Sequence, residues 1–447
     1  MDDHAAETGA VNRSPEPLIA LDRAHVWHPY TQQATAPVPV PIASARGAWL
    51  YGVDGTEYLD LIASWWVAIH GHAHPVIAEA IATQARTMAQ IIFAGLTHEP
   101  AVRLAEALVK TLPAGLTRLF FSDDGSTAVE VAMKMALHYG RNMGQSRGRF
   151  LVFEHGYHGD TVGAMSASRS SGFFEGYGSL LFGVDTLPFP ATWEGDAEVE
   201  RKEREALEAL ERYLEAHGSD CAAMLIEPLI QGAGGMRICR PAFLRALVAR
   251  LRAAGVLLIA DEVMTGFGRC GTLFACEKAG IEPDFICLSK GLTGGFLPMA
   301  ITACREGIYQ AFLGETFDRA LAHGHSFTAN ALGCAAGLAS LSLFDAENTL
   351  ARVAAIEAVH RERLSALGGR ILYPRAMGAV AAFELALPDR RYGSSFTPRL
   401  IRFFLERGLI IRPLGAVLYL MPPYCITPEA LHRGWDGIEA AVGAFCE

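Results

Sequence analysis

Asp261 and Lys290 are the residues of this chain whose setting points most directly to chemistry. Asp261 follows the apolar run 256–260, and a run of this kind without polar alternation predicts a buried parallel strand. Ligands of open α/β sheets lie beyond the carboxyl ends of the strands, which is where Asp261 would stand. Lys290 comes one loop and one strand later. A lysine amine that can form a Schiff base and a carboxylate that can keep a ring nitrogen protonated are what pyridoxal phosphate requires.

The alternative for such a pair is a surface salt bridge or a helix-capping acid, which would be preferred for an arbitrary aspartate and lysine. The predicted burial of the strand and the nearby Gly291, Gly294 and Gly295, which would let a ligand approach, favour the cofactor site. A carboxylate about 4 Å from a pyridinium gains about 4 kcal/mol at an effective dielectric constant near 20. That free energy corresponds to about three pKa units, enough to hold the ring nitrogen protonated at neutral pH.

Two further segments could bind parts of the same cofactor. The turn 125–127 lies between a predicted strand and a predicted helix, so its backbone N–H groups could bind a phosphate. Its Ser and Thr could equally be an ordinary helix cap. Tyr157, in the loop 154–160 after a predicted strand, could stack on a planar ring or merely pack against its neighbours.

Two other patterns are weaker evidence for a functional site. His70, His72 and His74 alternate, but no nearby carboxylate or cysteine completes a ligand set, so we expect turn histidines and no metal. The Gly-rich segment 232–235 does not match the dinucleotide-binding pattern G-x-G-x-x-G.

The elements that would position these residues alternate along the chain. Strand patterns at 119–121, 150–153, 222–226, 256–260 and 285–288 are separated by helical patterns, which predicts a mostly parallel sheet with helices on both faces, an α/β fold. The domains that we predict are a disordered tail over 1–17, the N-terminal part of a smaller α+β domain over 18–75, a large domain over 76–337, and the rest of the smaller domain over 338–447.

Composition narrows the class of protein. A net charge of −10 without a basic run argues against a nucleic-acid partner. No apolar run is long enough to cross a membrane, and the N-terminal residues do not resemble a signal peptide. Nine scattered cysteines without a C-x-x-C pair favour reduced thiols. These observations predict a cytoplasmic protein.

Together the segments resemble the class III aminotransferases of fold type I, which use pyridoxal 5'-phosphate. The resemblance rests on residues 261–269 with 289–291, and it covers about residues 20–440. The further motifs that carry it lie at 25–31, 64–66, 157–160, 323–324, 412–413 and 419–424. Within the family these motifs are most similar to members that act in biotin biosynthesis. The resemblance therefore implies a ping-pong transfer of the amino group of S-adenosylmethionine to 8-amino-7-oxononanoate, giving 7,8-diaminononanoate.

The resemblance also implies a role for each matching residue. Three residues would be catalytic. Lys290 would bind the cofactor's aldehyde carbon, Asp261 would pair with its ring nitrogen, and Tyr157 would stack on its ring. The residues that would bind the remainder of the cofactor are Gly125, Ser126, His325 and Ser326, with Ser326 reaching across the interface of a homodimer. Arg412 would bind a substrate carboxylate with its planar guanidinium. The other substrate-binding residues would be Tyr30, Trp65, Trp66, Asp160, Gly324 and Tyr419.

Asp124 and His325 depart from the family pattern. Asp124 precedes Gly125 where a small hydroxyl residue is more usual, and 325–326 is His-Ser where Pro-Thr is commoner. Two rival functions stay open: another class III ω-aminotransferase, which takes its amino group from lysine, a diamine or an amino acid, and a non-catalytic α/β protein that only binds a phosphate ligand.

Overall fold

The computed structural model describes residues 14–446. Its strands are β1 (Ile42–Arg46), β2 (Trp49–Gly52), β3 (Glu57–Asp60), β4 (Leu116–Ser122), β5 (Arg149–Phe153), β6 (Asp185–Leu187), β7 (Cys221–Ile226), β8 (Ile230–Gln231), β9 (Arg237–Ile238), β10 (Leu257–Asp261), β11 (Phe285–Leu288), β12 (Ala300–Arg305), β13 (Leu372–Met377), β14 (Val380–Glu384), β15 (Leu409–Ile410) and β16 (Val417–Leu420).

The helices lie before, between and after these strands. They are α1 (Glu16–His25), α2 (Ala63–Trp66), α3 (Pro75–Thr87), α4 (Glu99–Thr111), α5 (Gly125–Asn142), α6 (Val162–Ala167), α7 (Val199–His217), α8 (Pro241–Ala253), α9 (Ala275–Ala279), α10 (Glu306–Ala311), α11 (Ala331–Ala346), α12 (Thr349–Leu367), α13 (Phe396–Leu405) and α14 (Pro428–Cys446). Residues 1–13 of the predicted tail lie outside the described residues, and α1 already begins at Glu16.

A seven-stranded sheet forms the centre of the fold, in the order β4-β12-β11-β10-β7-β5-β6. Neighbouring strands from β11 to β6 pair in parallel, whereas β12 is antiparallel to both β11 and β4. The mostly parallel α/β sheet expected from the sequence is thereby confirmed. Every residue of β7 and β11 is buried, which explains their continuous apolar sequences.

Helices cover both faces of this sheet, because successive strand residues point to opposite sides. On one side Ile259 of β10 lies in a core cluster with Val129 of α5. On the other side Leu258 lies in a separate cluster with Leu247 of α8. The sheet is therefore held between two apolar layers, and its strand ends are positioned as a rigid edge.

Of the three smaller sheets among the described residues, one joins strands from the two ends of the chain. The sheet β1-β2-β3-β15 pairs Leu59 near the N-terminus with Leu409 in parallel register, and β13-β14-β16 forms a three-stranded antiparallel sheet. Helix α11 runs through residue 337, the predicted end of the large domain. The domain boundaries themselves stay a prediction. Within residues 14–446, no helix combines the length and the apolar character that a membrane span requires.

Candidate active site

Three neighbouring parallel strands bring the central side chains of the site together. Strands β5, β7 and β10 lie side by side, and the residues at their carboxyl ends are Tyr157 and His158, Glu227, and Asp261. Strand β11 pairs with the other side of β10 and leads directly to Lys290. Residues that are far apart in sequence therefore meet at one edge of the sheet, as the strand-end argument predicted for Asp261 and Lys290.

The carboxylate of Asp261 is buried, and part of its hydrogen-bonding capacity is used within the protein. Its Oδ1 accepts a hydrogen bond from the backbone N–H of Val263 at 3.1 Å. Its Oδ2 lies 2.8 Å from Nδ1 of the buried His158. These two contacts fix the plane of the carboxylate and orient it at the wall of the cavity. The contact between His158 and Asp261 was not predicted from the sequence.

Lys290 points into the same cavity at the start of a 3₁₀ turn. Its Nζ lies 5.4 Å from the centroid of the Trp66 ring. Burial lowers the pKa of the Lys290 amine below its ordinary value, although the charge of Asp261 acts in the opposite direction. A lowered pKa increases the fraction of neutral amine, which is the form that attacks a carbonyl and accepts a proton.

A second buried carboxylate, Glu227, lies in this cavity and was missed in the sequence. Its Oε2 accepts the backbone N–H of Tyr157 at 3.1 Å, and its Oε1 accepts that of Gly232 at 2.8 Å. Burial raises the pKa of Glu227 to about 7, and the nearby His158 opposes this shift. Glu227 thus ties the Tyr157 loop to the loop after β7. The only signal in the sequence was its place directly after an apolar run.

The first residues of α5 form part of the cavity wall. The side chain of Asp124 caps this helix, with Oδ1 accepting the backbone N–H of Thr127 at 2.9 Å. The backbone N–H groups of Gly125 and Ser126 belong to the first turn and have no acceptor within the helix. A Cβ at Gly125 would lie 2.5 Å from Val263, so only glycine lets the two segments approach this closely. The hydroxyl of Ser126 accepts the backbone N–H of Thr161 at 2.9 Å.

Two tyrosines donate hydrogen bonds to the same carboxylate oxygen in a second pocket next to this cavity. The hydroxyls of Tyr30 and Tyr157 donate to Oδ1 of Asp160 at 2.7 and 2.8 Å. Burial and the neighbouring carboxylate raise the pKa of both phenols, so both remain protonated donors. The ring of Tyr157 is stacked on Phe174, with centroids 6.2 Å apart and planes at 21°. This backing holds the Tyr157 ring in place at the cavity wall.

The rest of the pocket wall is aromatic and ends in a cation. The indole N–H of Trp66 donates to the Tyr419 hydroxyl at 3.0 Å. The guanidinium of Arg412 lies 5.2 Å from the Trp65 ring and donates to the carbonyl of Tyr30 at 3.1 Å. Among the described residues no carboxylate lies within salt-bridge distance of Arg412. The structure therefore brings six of the seven predicted substrate residues, all but Gly324, together around a cavity of about 300 Å³ in which the guanidinium of Arg412 has no counter-ion.

A strained turn presents the two tryptophans to the pocket. Ala63, Ser64 and Trp66 have positive φ angles of 50°, 62° and 69°, a region that costs side-chain-bearing residues free energy. The buried carboxylate of Asp60 holds this turn. It accepts the backbone N–H groups of Ile62 at 3.0 Å and Ser64 at 2.6 Å. Its Oδ2 also lies 2.8 Å from the ring of His72. Asp60 was not predicted as part of the site.

Three predicted residues do not line the cavities of their own chain. Nδ1 of His325 lies 3.2 Å from a carboxylate oxygen of Asp123, just before the turn at α5. The carbonyl of Ser326 accepts a hydrogen bond from the Gln90 side chain at 3.3 Å. Gly324 lies between His323 and His325, whose rings contact each other. Their roles at the site stay a prediction.

The alternating histidines each have a separate environment. His72 pairs with Asp60, His74 lies 3.0 Å from Glu347, and His70 is buried against Phe344. Burial lowers the pKa of His70 to about 4, so its ring is neutral. Over residues 14–446, no three His, Cys, Asp or Glu side chains are grouped so that they could hold a metal ion.

A comparison with protein families decides the class of this site. The family model "Aminotransferase class-III" matches residues 30–442, most of the chain. The chain belongs to the class III aminotransferase family. The resemblance seen in the sequence is thereby confirmed, as are the fold type, the aminotransferase activity and the dependence of this enzyme on pyridoxal phosphate.

Curated relatives of this aminotransferase share one name. The chain is 54% identical over 410 residues to the adenosylmethionine-8-amino-7-oxononanoate aminotransferase of Synechococcus elongatus, covering 91% of this chain and 96% of the relative. It is 40% identical over 428 residues to the protein of that name from Mycobacterium leprae, covering 94% and 95%.

Solved structures are similar over nearly the whole aminotransferase. The crystal structure of the adenosylmethionine-8-amino-7-oxononanoate aminotransferase from Methanocaldococcus jannaschii has a TM-score of 0.88 at 33% identity, covering 97% of this chain and 100% of that one. An (S)-enantioselective omega-transaminase from Thermomicrobium roseum has a TM-score of 0.91 at 29% identity, covering 97% and 99%. The fold is therefore common to both kinds of transaminase and does not by itself select the amino donor.

The residues of this aminotransferase fit the cofactor. The cavity has a volume of about 650 Å³, and its wall includes Gly125, Ser126, Asp261 and Lys290. The cradle at Gly125, which a Cβ would fill, and the free first-turn N–H groups suit a phosphate. The carboxylate of Asp124, which had put this fit in doubt, is used as the helix cap.

Proposed function

We propose that this aminotransferase transfers the amino group of S-adenosylmethionine to 8-amino-7-oxononanoate and so forms 7,8-diaminononanoate in a ping-pong reaction. The observation that carries the proposal is Arg412, a cation without a counter-ion at the end of an aromatic pocket. A chain that ends in a carboxylate would satisfy the guanidinium, and the aromatic walls would contact its methylenes. The shared name of the curated relatives supports the same substrates.

The cofactor-binding residues have separate tasks in this proposal. Bound pyridoxal phosphate supplies an electron-withdrawing ring that stabilises negative charge on the carbon next to the substrate nitrogen. Asp261 keeps the ring nitrogen protonated, and His158 holds the Asp261 carboxylate in the required plane. Gly125 and Ser126 would bind the phosphate, and Tyr157 would pack on the ring. Lys290 would hold the cofactor through its amine, and as a free amine it would carry a proton to and from the reacting carbon of the substrate.

The substrate-binding residues orient two different molecules in turn. Arg412 binds the acceptor's carboxylate, while Tyr30, Trp65, Trp66 and Tyr419 line the path of its chain. The same aromatic faces attract the sulfonium of the donor by cation–π interactions. Asp160 lies next to the hydroxyls of Tyr30 and Tyr157, where it can accept a hydrogen bond from a substrate amine.

We also propose that the enzyme is a cytoplasmic homodimer. Ile92 and Phe327 expose 69% and 60% of their surfaces, and the contact between Gln90 and Ser326 places their segments side by side. An exposed apolar pair of this kind suits a subunit interface. In the dimer Gly324, His325 and Ser326 would face the partner's site. The nine cysteines are all free, in keeping with a reducing compartment. Sedimentation of the wild type and of Phe327→Asp tests the dimer, and a monomeric wild type would contradict it.

A donor panel tests the proposed activity. The purified holoenzyme is given 8-amino-7-oxononanoate with S-adenosylmethionine, lysine, a diamine or alanine, and 7,8-diaminononanoate is quantified. We expect the highest kcat/KM with S-adenosylmethionine. Lys290→Ala should lose turnover and the borohydride-sensitive yellow colour together, because both depend on the amine. A higher kcat/KM with lysine or a diamine would favour the ω-aminotransferase function instead.

A further inference from the structure

The Gly-rich segment 232–235 lies in the turn of a hairpin beside the substrate pocket. Strands β8 and β9 pair in antiparallel register on either side of this turn, and we call residues 232–236 the hairpin turn. Ala233 belongs to the pocket wall. A Cβ at Gly234 would overlap the carbonyl oxygen of His155, so only glycine lets the hairpin turn pack this closely against the loop that carries Tyr157. The segment that does not match a dinucleotide-binding pattern is thus a structural part of the substrate pocket.

The conformation of the hairpin turn depends on a group outside it. Gly235 and Met236 have positive φ angles of 106° and 51°. For Met236, which carries a side chain, this region costs free energy and persists only where the surroundings hold it. The N–H groups of both residues donate to the carbonyl of Gly232, at 3.1 and 2.9 Å. Their own carbonyls accept hydrogen bonds from a side chain of another strand.

That side chain is Arg375 of β13. Its Nε donates to the carbonyl of Met236 at 2.6 Å, and its Nη2 donates to that of Gly235 at 2.5 Å. Its Nη1 donates to the carbonyl of Tyr373, in its own strand, at 2.6 Å. A planar guanidinium has several N–H groups in fixed directions, so it can satisfy three carbonyls at once. Arg375 therefore holds the hairpin turn against β13.

The guanidinium of Arg375 is a buried cation without a carboxylate partner. The residue is 5% exposed, and among the described residues no acidic oxygen lies within salt-bridge distance of it. Glu384, whose charge acts on it, is paired with Arg390. Burial lowers the pKa of the guanidinium to about 10, so it stays charged at neutral pH. Buried ions often contribute little net stability, which favours a positional role for this one.

The register of the small sheet places Arg375 in line with a residue of the pocket. Arg375 of β13 lies opposite Ala382 of β14, and Ala382 lies opposite Tyr419 of β16. Directly opposed residues of antiparallel strands point to the same face, so Arg375 and Tyr419 share one face, two strands or about 10 Å apart. Tyr419 lines the substrate pocket and accepts the indole N–H of Trp66. One face of the sheet therefore carries both a wall residue of the pocket and the side chain that holds the turn with Ala233.

We propose that Arg375 is a positioning residue of the substrate pocket, which fixes the hairpin turn against the small sheet and so sets the spacing between Ala233 and Tyr419. Arg375 itself does not line the pocket and acts through the turn. Without it the buried Gly235 and Met236 would have carbonyls without donors, and the turn would relax toward water. The proposal rests on the proposed function only because it places the substrates in this pocket, and the identity of the amino donor does not enter it.

Two variants of the holoenzyme and two controls test this role. Arg375→Met keeps much of the side-chain volume without any donor, and Arg375→Lys keeps the charge without the planar fork. Arg370→Met removes an exposed arginine just before β13, whose guanidinium bonds to Glu439 at 2.7 Å. Leu364→Ala opens a cavity in α12, which packs against β13, and so lowers the global stability at a place outside the hairpin turn.

For each protein, kcat, KM for both substrates, cofactor affinity and the amide hydrogen exchange of Gly235 and Met236 are measured. We expect Arg375→Met to speed this exchange by about 100-fold or more. Both KM values should rise by about tenfold or more with kcat and cofactor affinity within about threefold, because a loosened wall weakens the binding of substrate and transition state alike. Arg375→Lys should raise both KM values by about threefold or more. Both controls should leave KM within about twofold, although Leu364→Ala lowers the Tm.

Unchanged KM values in both Arg375 variants would overturn the role given to Arg375. An increase of KM in Leu364→Ala equal to that in Arg375→Met would overturn it as well, because global stability would then explain the effect. If Arg375→Met does not fold, the KM values of Arg375→Lys decide the question. A wild type that uses an amino donor other than S-adenosylmethionine would overturn the proposed function and leave the role of Arg375 intact, since KM for that donor would report on the same turn.

Discussion

Asp60→Asn should release the strained turn that presents the two tryptophans. The substitution keeps Oδ1, which accepts the N–H of Ile62, and replaces Oδ2 by an NH₂ group. That group cannot accept the N–H of Ser64, 2.6 Å from Oδ2 in the wild type, and the contact with His72 at 2.8 Å loses its carboxylate partner as well. Two hydrogen bonds to a charged group are worth about 1.5–3 kcal/mol each, so the loss is about 3–6 kcal/mol.

The strain of the turn adds to this effect. Its three residues with positive φ persist only because the surroundings hold them, and each stores about 1–3 kcal/mol. We therefore expect the turn to relax locally before the whole chain unfolds. A loss of 3–6 kcal/mol corresponds to an increase in local opening of about 10²–10⁴-fold. Trp65 would then leave its position over Arg412, and KM for the acceptor would rise.

Amide hydrogen exchange of the segment 60–68 measures this opening, with KM for 8-amino-7-oxononanoate measured on the same protein. The matched control is Asp54→Asn. Asp54 is exposed in the neighbouring hairpin and accepts a single backbone N–H, from Thr56 at 3.0 Å, so we expect less than about 1 kcal/mol. Unchanged exchange and unchanged KM in Asp60→Asn would refute the role given to the Asp60 carboxylate.

Two other predictions concern the pocket and the cofactor cavity. Arg412→Lys should raise KM for 8-amino-7-oxononanoate by about tenfold or more, with little change in kcat, because a lysine cannot bind a carboxylate through two parallel hydrogen bonds. Steady-state kinetics measures both constants, and an unchanged KM would remove this role from Arg412. The pKa of Glu227 is raised from 4.5 to about 7, so its contribution to folding stability is complete below pH 4.5 and is lost as the pH rises through about 7. Glu227→Gln should abolish this loss. The Tm of the apo variant should therefore rise relative to that of the apo wild type between about pH 5 and pH 8. A Tm difference that does not change with pH would contradict the raised pKa.

The strands and helices that carry the site could largely be predicted from local sequence patterns. The prediction for 285–288 coincides with β11, and the predicted strand 256–260 differs from β10 by one residue at each end. Long apolar runs are recognisable because both faces of these strands are buried. Strand β12 was missed, since Thr302 and Arg305 interrupt its apolar character.

The contacts around Asp261 could not be predicted in the same way. His158 and Asp261 are 103 positions apart, and their hydrogen bond depends on the spatial order β5-β7-β10, which no local pattern encodes. Glu227 lies between them for the same reason. The role of Asp60 likewise follows from contacts made after folding. Local sequence therefore predicts which residues lie at strand ends, and the order of the strands decides which of them meet.

The central claim is that S-adenosylmethionine is the amino donor, and a single-turnover half-reaction tests it most directly. The yellow holoenzyme is mixed with S-adenosylmethionine in the absence of acceptor, and its absorbance is followed. We predict that the colour is lost and that 8-amino-7-oxononanoate, added afterwards, restores it with one equivalent of 7,8-diaminononanoate for each active site. An enzyme that keeps its colour with S-adenosylmethionine but loses it with lysine or a diamine would contradict the account.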